Sequence, residues 1–316
     1  MSTIAMANTD KRIDTFNLYR ARLFGVAYRM LGIRADAEDV VQETYIRWHK
    51  ADISEIEIPE AWLVTVTTRL AIDRLRKLSS QRETYIGPWL PEPLIMDPAM
   101  SQETRAETAS DVSIAFMVML ERLSPIERAV FLLHDVFDIA HAEIAKIVAK
   151  SETAVRQMVS RARTRVRTDR TRFEADEASR SKLIRKFITA SYAGDEQTLM
   201  SIFAEDVAMM SDGGGKVNAA RRLVSGNKRL SHLFAITVPK AGDRMTIFEA
   251  DINGEPGIIE FLDGEPFSAT TFTIEAGQIS SIYRVMNPDK LVALVNLDRK
   301  LFRDELSHMG DSDRLL

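Results

Sequence analysis

The chain of 316 residues contains no cysteine. Disulfides, thiolate zinc sites and cysteine nucleophiles are therefore excluded, and the composition suits a reducing, cytoplasmic setting. Long apolar runs are missing as well: nothing approaches the ~18 residues that would suggest a membrane span, and no charged-then-apolar leader stands near Met1. Neither secretion nor a membrane partner is expected. The five histidines, at positions 49, 134, 141, 232 and 308, show no ligand spacing, so no metal site is expected. Three glycines precede Lys216, but a phosphate loop needs G-x-x-x-x-G-K-[ST] and Val217 follows the lysine here. A tight turn between strands fits better, and no cofactor is indicated.

What is present is enough for real cores, with 45% apolar and 28% charged residues. At about 150 residues per domain the length allows two domains or three small ones. Charge divides them. Residues 1–173 carry 25 basic and 24 acidic side chains, whereas residues 174–316 carry 17 and 22, so the second half is acidic and the halves are expected to do different jobs.

The sharpest local signal is Leu123 to Arg172. A short helix from Ala140 to Val148 is followed by a break at Ala149-Lys150-Ser151 and a second helix from Glu152. Val155, Val159, Ala162 and Val166 recur at three- and four-residue spacing in that second helix. This is the pattern of a helix-turn-helix. Ser151 can cap the second helix, although Ala154 lacks the reciprocal half of a capping box. Seven arginines against two acids between Ser151 and Arg172 suggest a polyanion partner. Arg161, Arg163 and Arg165 suit phosphate anchoring, which positions without specifying, while Thr153, Arg156, Gln157 and Ser160 suit base reading.

Earlier in the chain, residues 1–12 read as a loose tail, and a helix then runs from Phe16 to near Gly32. A second helix, Asp36 to Lys50, turns Val40, Val41, Thr44, Tyr45 and Trp48 inward. Asp39, Gln42, Glu43 and Arg47 form its polar strip, which is either a docking surface or a plain solvated face. A third helix, Ala61 to Lys77, has Trp62, Leu63, Val66, Leu70 and Ile72 for core and Arg69, Arg74, Arg76 and Lys77 as a second basic face. Pro88, Pro91, Pro93 and Pro98 then forbid regular helix. Tyr85, Ile86, Trp89, Leu90 and Leu94 make this tract too apolar for a solvated linker, so it is expected to dock.

From Ser179 the pattern becomes helix, turn at Gly194-Asp195, short helix, then strand into Ser211-Asp212. Strand-like runs follow at 235–238, 244–252, 257–262, 268–274 and 279–286, broken by Asn253-Gly254, Asp263-Gly264 and Ala276-Gly277. The order indicates an α+β domain. Leu291, Leu294, Val295, Leu301 and Phe302 then mark an amphipathic tail. His232, Tyr283 and Asp251 are the only pocket residues worth naming as catalytic candidates, and no constellation joins them. No enzyme activity is expected.

Three of these segments together resemble a known family. YRARLFGVAYRMLGIRADAEDVVQETYIRWHK, PEAWLVTVTTRLAIDRLRK and LSPIERAVFLLHDVFDIAHAEIAKIVAKSETAVRQMVSRARTRVR look like regions 2 and 4 of an extracytoplasmic-function sigma factor of bacterial RNA polymerase. YIGPWLPEPL, DGGGK at 212–216 and NPDKL at 287–291 resemble motifs of its sigma-J-like subgroup, whose members carry a SnoaL-like, nuclear-transport-factor-2-like cone after region 4. The resemblance implies a multidomain fold: two all-α sigma modules, at 10–84 and 108–173, joined by a Pro-rich linker at 85–107. An α+β cone at 179–290 and a tail at 291–316 would follow.

It further implies that Asp39, Gln42 and Glu43 meet the β′ clamp helices of core polymerase, and that the linker, with Trp89 and Pro91, passes through the polymerase cleft. The Arg69 face would open the minus-ten promoter element and the helix from Ser151 would read the minus-thirty-five element. Asp212, Gly213, Gly214, Gly215 and Lys216, with Asn287, Pro288, Asp289 and Lys290, would make regulatory contacts. The function so implied is promoter-directed transcription initiation, regulated by the C-terminal domain. The alternative is a polymerase-independent helix-turn-helix regulator sensing a small-molecule ligand in the cone.

Overall fold

The computed structural model describes residues 2–95, 112–167, 177–295 and 304–305. The chain divides into two compact units, Met1–Glu83 with Met117–Arg170, and Thr84–Phe116 with Thr171–Leu316. The Pro-rich linker therefore groups with the C-terminal domain, together with residues 112–116 that were expected to open region 4.

In the first unit, helices α1 (Ser2–Leu31), α2 (Arg34–Lys50) and α3 (Pro59–Arg82) form a bundle. In its core Leu23, Val26, Ala27, Met30 and Leu31 meet Val40, Val41, Leu63, Val64, Ala71 and Leu75, all buried, whereas Trp62, Val66 and Leu70 of the expected α3 core are only half-buried. Each Val, Leu or Met among the buried ones contributes ~1.5–3 kcal/mol when sealed from water. Gly32 stops α1 at φ 71, in the left-handed region that L side chains avoid. Residues 2–12, expected to be a loose tail, belong to α1, and the Trp48 indole donates to the Arg12 carbonyl at 3.0 Å, fastening that segment to α2.

A short helix α4 (Ile114–Leu120) leads to α5 (Pro125–Asp135), α6 (His141–Val148) and α7 (Glu152–Arg167). Ser124 and Glu127 form a complete capping box at the start of α5. The turn of the helix-turn-helix is made by Ala149 at φ 52, and Ser151 Oγ accepts from the Ala154 N–H at 3.2 Å, as its sequence position suggests. Val155, Val159, Ala162 and Val166 face inward.

In the second unit, α8 (Glu177–Ala193) and α9 (Glu196–Ile202) precede β1 (Phe203–Asp212), β2 (Val224–Ser225) and α10 (Asn227–Ala241). Strands β3 (Met245–Ile252), β4 (Glu255–Leu262), β5 (Glu265–Glu275) and β6 (Gln278–Val285) follow, then α11 (Pro288–Val295) and β7 (Asp304–Glu305). The sheet runs β2-β1-β6-β5-β4-β3-β7, with β1 parallel to β6 and the other pairs antiparallel. One face carries the core, where Phe187, Phe203, Phe234 and Phe272 pack among Leu230, Ile247, Ile258 and Ile282.

The strand expected at 235–238 is instead the last part of α10. Leu230, Phe234 and Val238 are buried at four-residue spacing, so helical periodicity overrides the β-branched run Ile236-Thr237-Val238. The tail is helical to Val295, whereas Leu301 and Phe302 lie outside the described residues.

Candidate functional site

The expected docking of the linker is observed, and the surface that receives it is the C-terminal domain. Its centre is Asp212 at the end of β1, a fully buried carboxylate. Oδ1 accepts from the Tyr85 hydroxyl at 2.5 Å and the Gly214 N–H at 3.1 Å. Oδ2 accepts from the Leu90 N–H at 2.8 Å and the Lys290 ammonium at 2.6 Å. Every lone-pair direction of the carboxylate is thereby used, which is what makes a buried charge tolerable. Lys290 also donates to the Leu90 carbonyl and lies 4.2 Å above the Trp89 ring centroid, so an aromatic face replaces part of its lost hydration.

The two sequence motifs around Asp212 serve the same contact. Gly214 and Gly215 sit at φ 59 and 72, and Cβ atoms on them would run into the Asn287 amide and into Ile86 of the linker. Gly213 is equally confined, because its Cβ would meet that of Ala219 at 2.7 Å. Only a run of glycines gives this turn and this approach. Pro288 starts α11, Asn287 donates to the Tyr85 oxygen at 2.9 Å, and Lys216 pairs with Asp289 at 2.6 Å on the surface. Burial and the Asp212 carboxylate push the Tyr85 hydroxyl well above its ordinary pKa, so it stays a donor.

A second pin lies further along the linker. Asn253, at φ 55 in the β3–β4 turn, donates its N–H to the Leu94 carbonyl at 2.7 Å and accepts from the Leu94 N–H at 2.9 Å. Its side chain also donates to the Val112 carbonyl at 2.9 Å. The sequence marked Asn253 only as a turn residue. Of the two linker residues expected to meet polymerase, Trp89 is half-buried under the Lys290 ammonium and Pro91 is buried.

In the first unit the expected DNA-reading residues divide by partner. Thr153, Arg156, Gln157, Ser160 and Arg161 are exposed along α7, with Arg156 paired to Glu152 at 2.5 Å one turn away. Arg163 and Arg165 hold α7 to α5 through Asp135, at 2.8 Å, and Glu127, at 2.9 Å. On α3, Arg76 pairs with Asp73, Arg74 reaches Asp36 of α2, and Lys77 is exposed. Arg69 does something else: it donates to the Ile147 and Lys146 carbonyls, both at 2.9 Å, at the end of α6. These carbonyls have no partner within the helix, and a cation suits the negative end of its dipole.

Beneath lies a charged junction that the sequence did not suggest. Glu121 takes Arg82 and Arg128 at 2.5 Å each, and the two guanidiniums continue to the Leu31 carbonyl at 2.6 Å and the Arg29 carbonyl at 3.0 Å. Burial raises the Glu121 pKa, but the two guanidiniums outweigh it and hold the carboxyl below its ordinary range. Asp39 and Gln42 are exposed on α2, Glu43 is partly so and pairs with Arg47, and Ile46, 39% exposed, adds an apolar side chain to this strip.

His232, Tyr283 and Asp251 are not brought together. His232 is exposed on α10 beside Glu196, while strand register puts Tyr283 and Asp251 on opposite faces of the sheet. Among the described residues no group of three or more His, Cys, Asp or Glu could hold a metal ion. No described helix is long and apolar enough to cross a membrane.

Known proteins share this layout. Residues 15–81 match the model for Sigma-70 region 2, and residues 113–166 match the model for Sigma-70, region 4. The extracytoplasmic-function RNA polymerase sigma factor SigJ of Mycobacterium tuberculosis is 36% identical over 88% of this chain and 92% of its own. The chain belongs to the extracytoplasmic-function sigma factors. The likeness extends past regions 2 and 4: the SigJ crystal structure superposes with a TM-score of 0.72, covering 89% of this sigma factor and 98% of that chain at 35% identity. A probable sigma factor SigI of the same species is 29% identical over 90% of this chain and 97% of its own. The C-terminal α+β domain is thus shared with SigJ.

Proposed function

We propose that this sigma factor brings core RNA polymerase to specific promoters from the cytoplasm, and that its C-terminal domain gates the process by holding the linker. One observation carries the gating: Tyr85, Trp89, Leu90 and Leu94 are engaged by Asp212, Lys290 and Asn253. The family resemblance implies that the same tract enters the polymerase cleft. A linker cannot occupy both places, so clasp and initiation compete.

Energetics favour a factor that works only on polymerase. Opening about ten base-pair steps at ~1.4 kcal/mol each costs on the order of 14 kcal/mol. That equals the whole free energy of a tight specific complex, so the free chain does not melt DNA. On polymerase, Arg69, Arg74, Arg76 and Lys77 need only help capture a flipped base, while α7 reads the upstream element. Asp39, Gln42 and Glu43 supply the docking strip.

Run-off transcription with core polymerase tests the reading. The expected result is promoter-specific transcript from the full chain, changed several-fold by Asp212→Asn or Lys290→Met. Equal transcript from all three would remove the gating; no transcript with any core enzyme would remove the sigma reading itself.

A further inference from the structure

Asp212 and Asp243 enclose thirty residues without one acidic side chain, and six cations lie between them: Lys216, Arg221, Arg222, Lys228, Arg229 and Lys240. This stands out in a half of the chain whose balance is negative. The structure concentrates four of them. Arg221 and Arg222 end the loop before β2, Lys228 and Arg229 occupy the first turn of α10, and all four are exposed.

Their electrostatic setting differs from that of three of the arginines on the helix-turn-helix. Arg156, Arg163 and Arg165 each have a carboxylate within 2.5–2.9 Å, whereas none of the four has an ion-pair partner among the described residues. Unpaired like charges within nine residues repel one another, a cost that a polyanion removes. The loop is also placed beside the linker: a Cβ on Gly87 would lie 3.6 Å from the Arg221 Cα, and a cavity of about 30 Å³ is shared by Ile86, Gly87, Gly215 and Arg221.

We propose that this ridge on the C-terminal domain binds the phosphate backbone of the promoter duplex, as a DNA contact separate from regions 2 and 4. The inference rests on the sigma reading above. The surface chemistry selects backbone over protein. A protein interface wants a desolvated aromatic or aliphatic anchor, and here the one large exposed apolar side chain is Leu223. Backbone binding needs only accessible cations and carries no sequence information. The ridge therefore adds affinity on any duplex that polymerase presents to it.

The test uses full-length protein bound to core polymerase, a promoter duplex, and the salt dependence of DNA affinity. Replacing Arg221, Arg222, Lys228 and Arg229 with Ala should lower the slope of log K against log salt by ~3–4, at ~0.9 for each phosphate no longer neutralised. Affinity for core should not change, and Lys in place of the three arginines should keep the slope. If the fourfold variant does not fold, the pairs R221A/R222A and K228A/R229A should each remove about 2 from the slope. An unchanged slope, or a loss of core affinity instead, overturns the ridge while leaving the sigma reading intact. Failure of the unmodified complex to select the promoter overturns both.

Discussion

The Lys290 ammonium sits 2.6 Å from Asp212 Oδ2, and the two side chains are 7% and 0% exposed. Neither charge can turn to water if the other is removed. Breaking a buried pair by deleting one partner costs ~3–5 kcal/mol, whereas replacing both with apolar or neutral groups of similar size is often nearly neutral. Lys290→Met alone should therefore destabilise the C-terminal unit by that amount in chemical denaturation, and Asp212→Asn should do the same. The double variant should lose clearly less than the sum. Additive losses would show that the two residues act separately. Limited proteolysis within residues 84–95 should quicken in the same order.

Arg69 closes the end of α6 with two hydrogen bonds to carbonyls 77 and 78 residues away. Arg69→Ala should cost ~1–2 kcal/mol in the first unit, because hydrogen bonds from a charged donor are the stronger kind. Amide exchange at Lys150, whose N–H bonds to the Ala145 carbonyl in the same turn, should speed up. Arg69→Lys should restore little, since an ammonium cannot reproduce the planar two-pronged donor. Unchanged exchange in the Ala variant would show that α6 does not depend on this cap. The two bonds use Nε and Nη2 of Arg69, so Nη1 is the nitrogen of this guanidinium left for promoter recognition.

Glu255, at the start of β4, faces Arg180 of α8 at 3.7 Å and stands near Asp251. Burial pushes its pKa from 4.5 to about 7, with Asp251 adding and Arg180 only partly opposing. The folded protein thus holds a proton that the unfolded chain releases, so stability falls as pH rises from 4.5 to 7 and levels off above. The span corresponds to roughly 3 kcal/mol. Glu255→Gln should remove this component and be the more stable form at pH 8. Identical pH profiles for the two proteins would rule it out.

Much of the architecture was legible because its periods are local. Val155, Val159, Ala162 and Val166 announce α7, and the turn pairs Asn253-Gly254, Asp263-Gly264 and Ala276-Gly277 between apolar runs announce β3 to β6. Ile236, Thr237 and Val238 misled because a β-branched triplet outweighed the longer Leu230, Phe234, Val238 spacing. The DGGGK and NPDKL words were recognisable, but their target was not: Asp212 meets Tyr85 and Leu90 across 127 and 122 residues, and no local rule encodes such pairings. The second pin at Asn253 hid behind its role as a turn former. The basic ridge escaped because charge was averaged over the whole acidic half, where six cations disappear among 22 acids.

The clasp also has an order in time. Lys290 follows Leu90 by 200 residues, so a ribosome adding ~5–20 residues per second makes the linker about 10–40 seconds before it makes the lysine that holds it. Region 2 is already made when that interval opens, and region 4 is completed within it. Each newborn chain therefore begins life with its linker unclasped, and meets its own lock only after 200 further residues have been added.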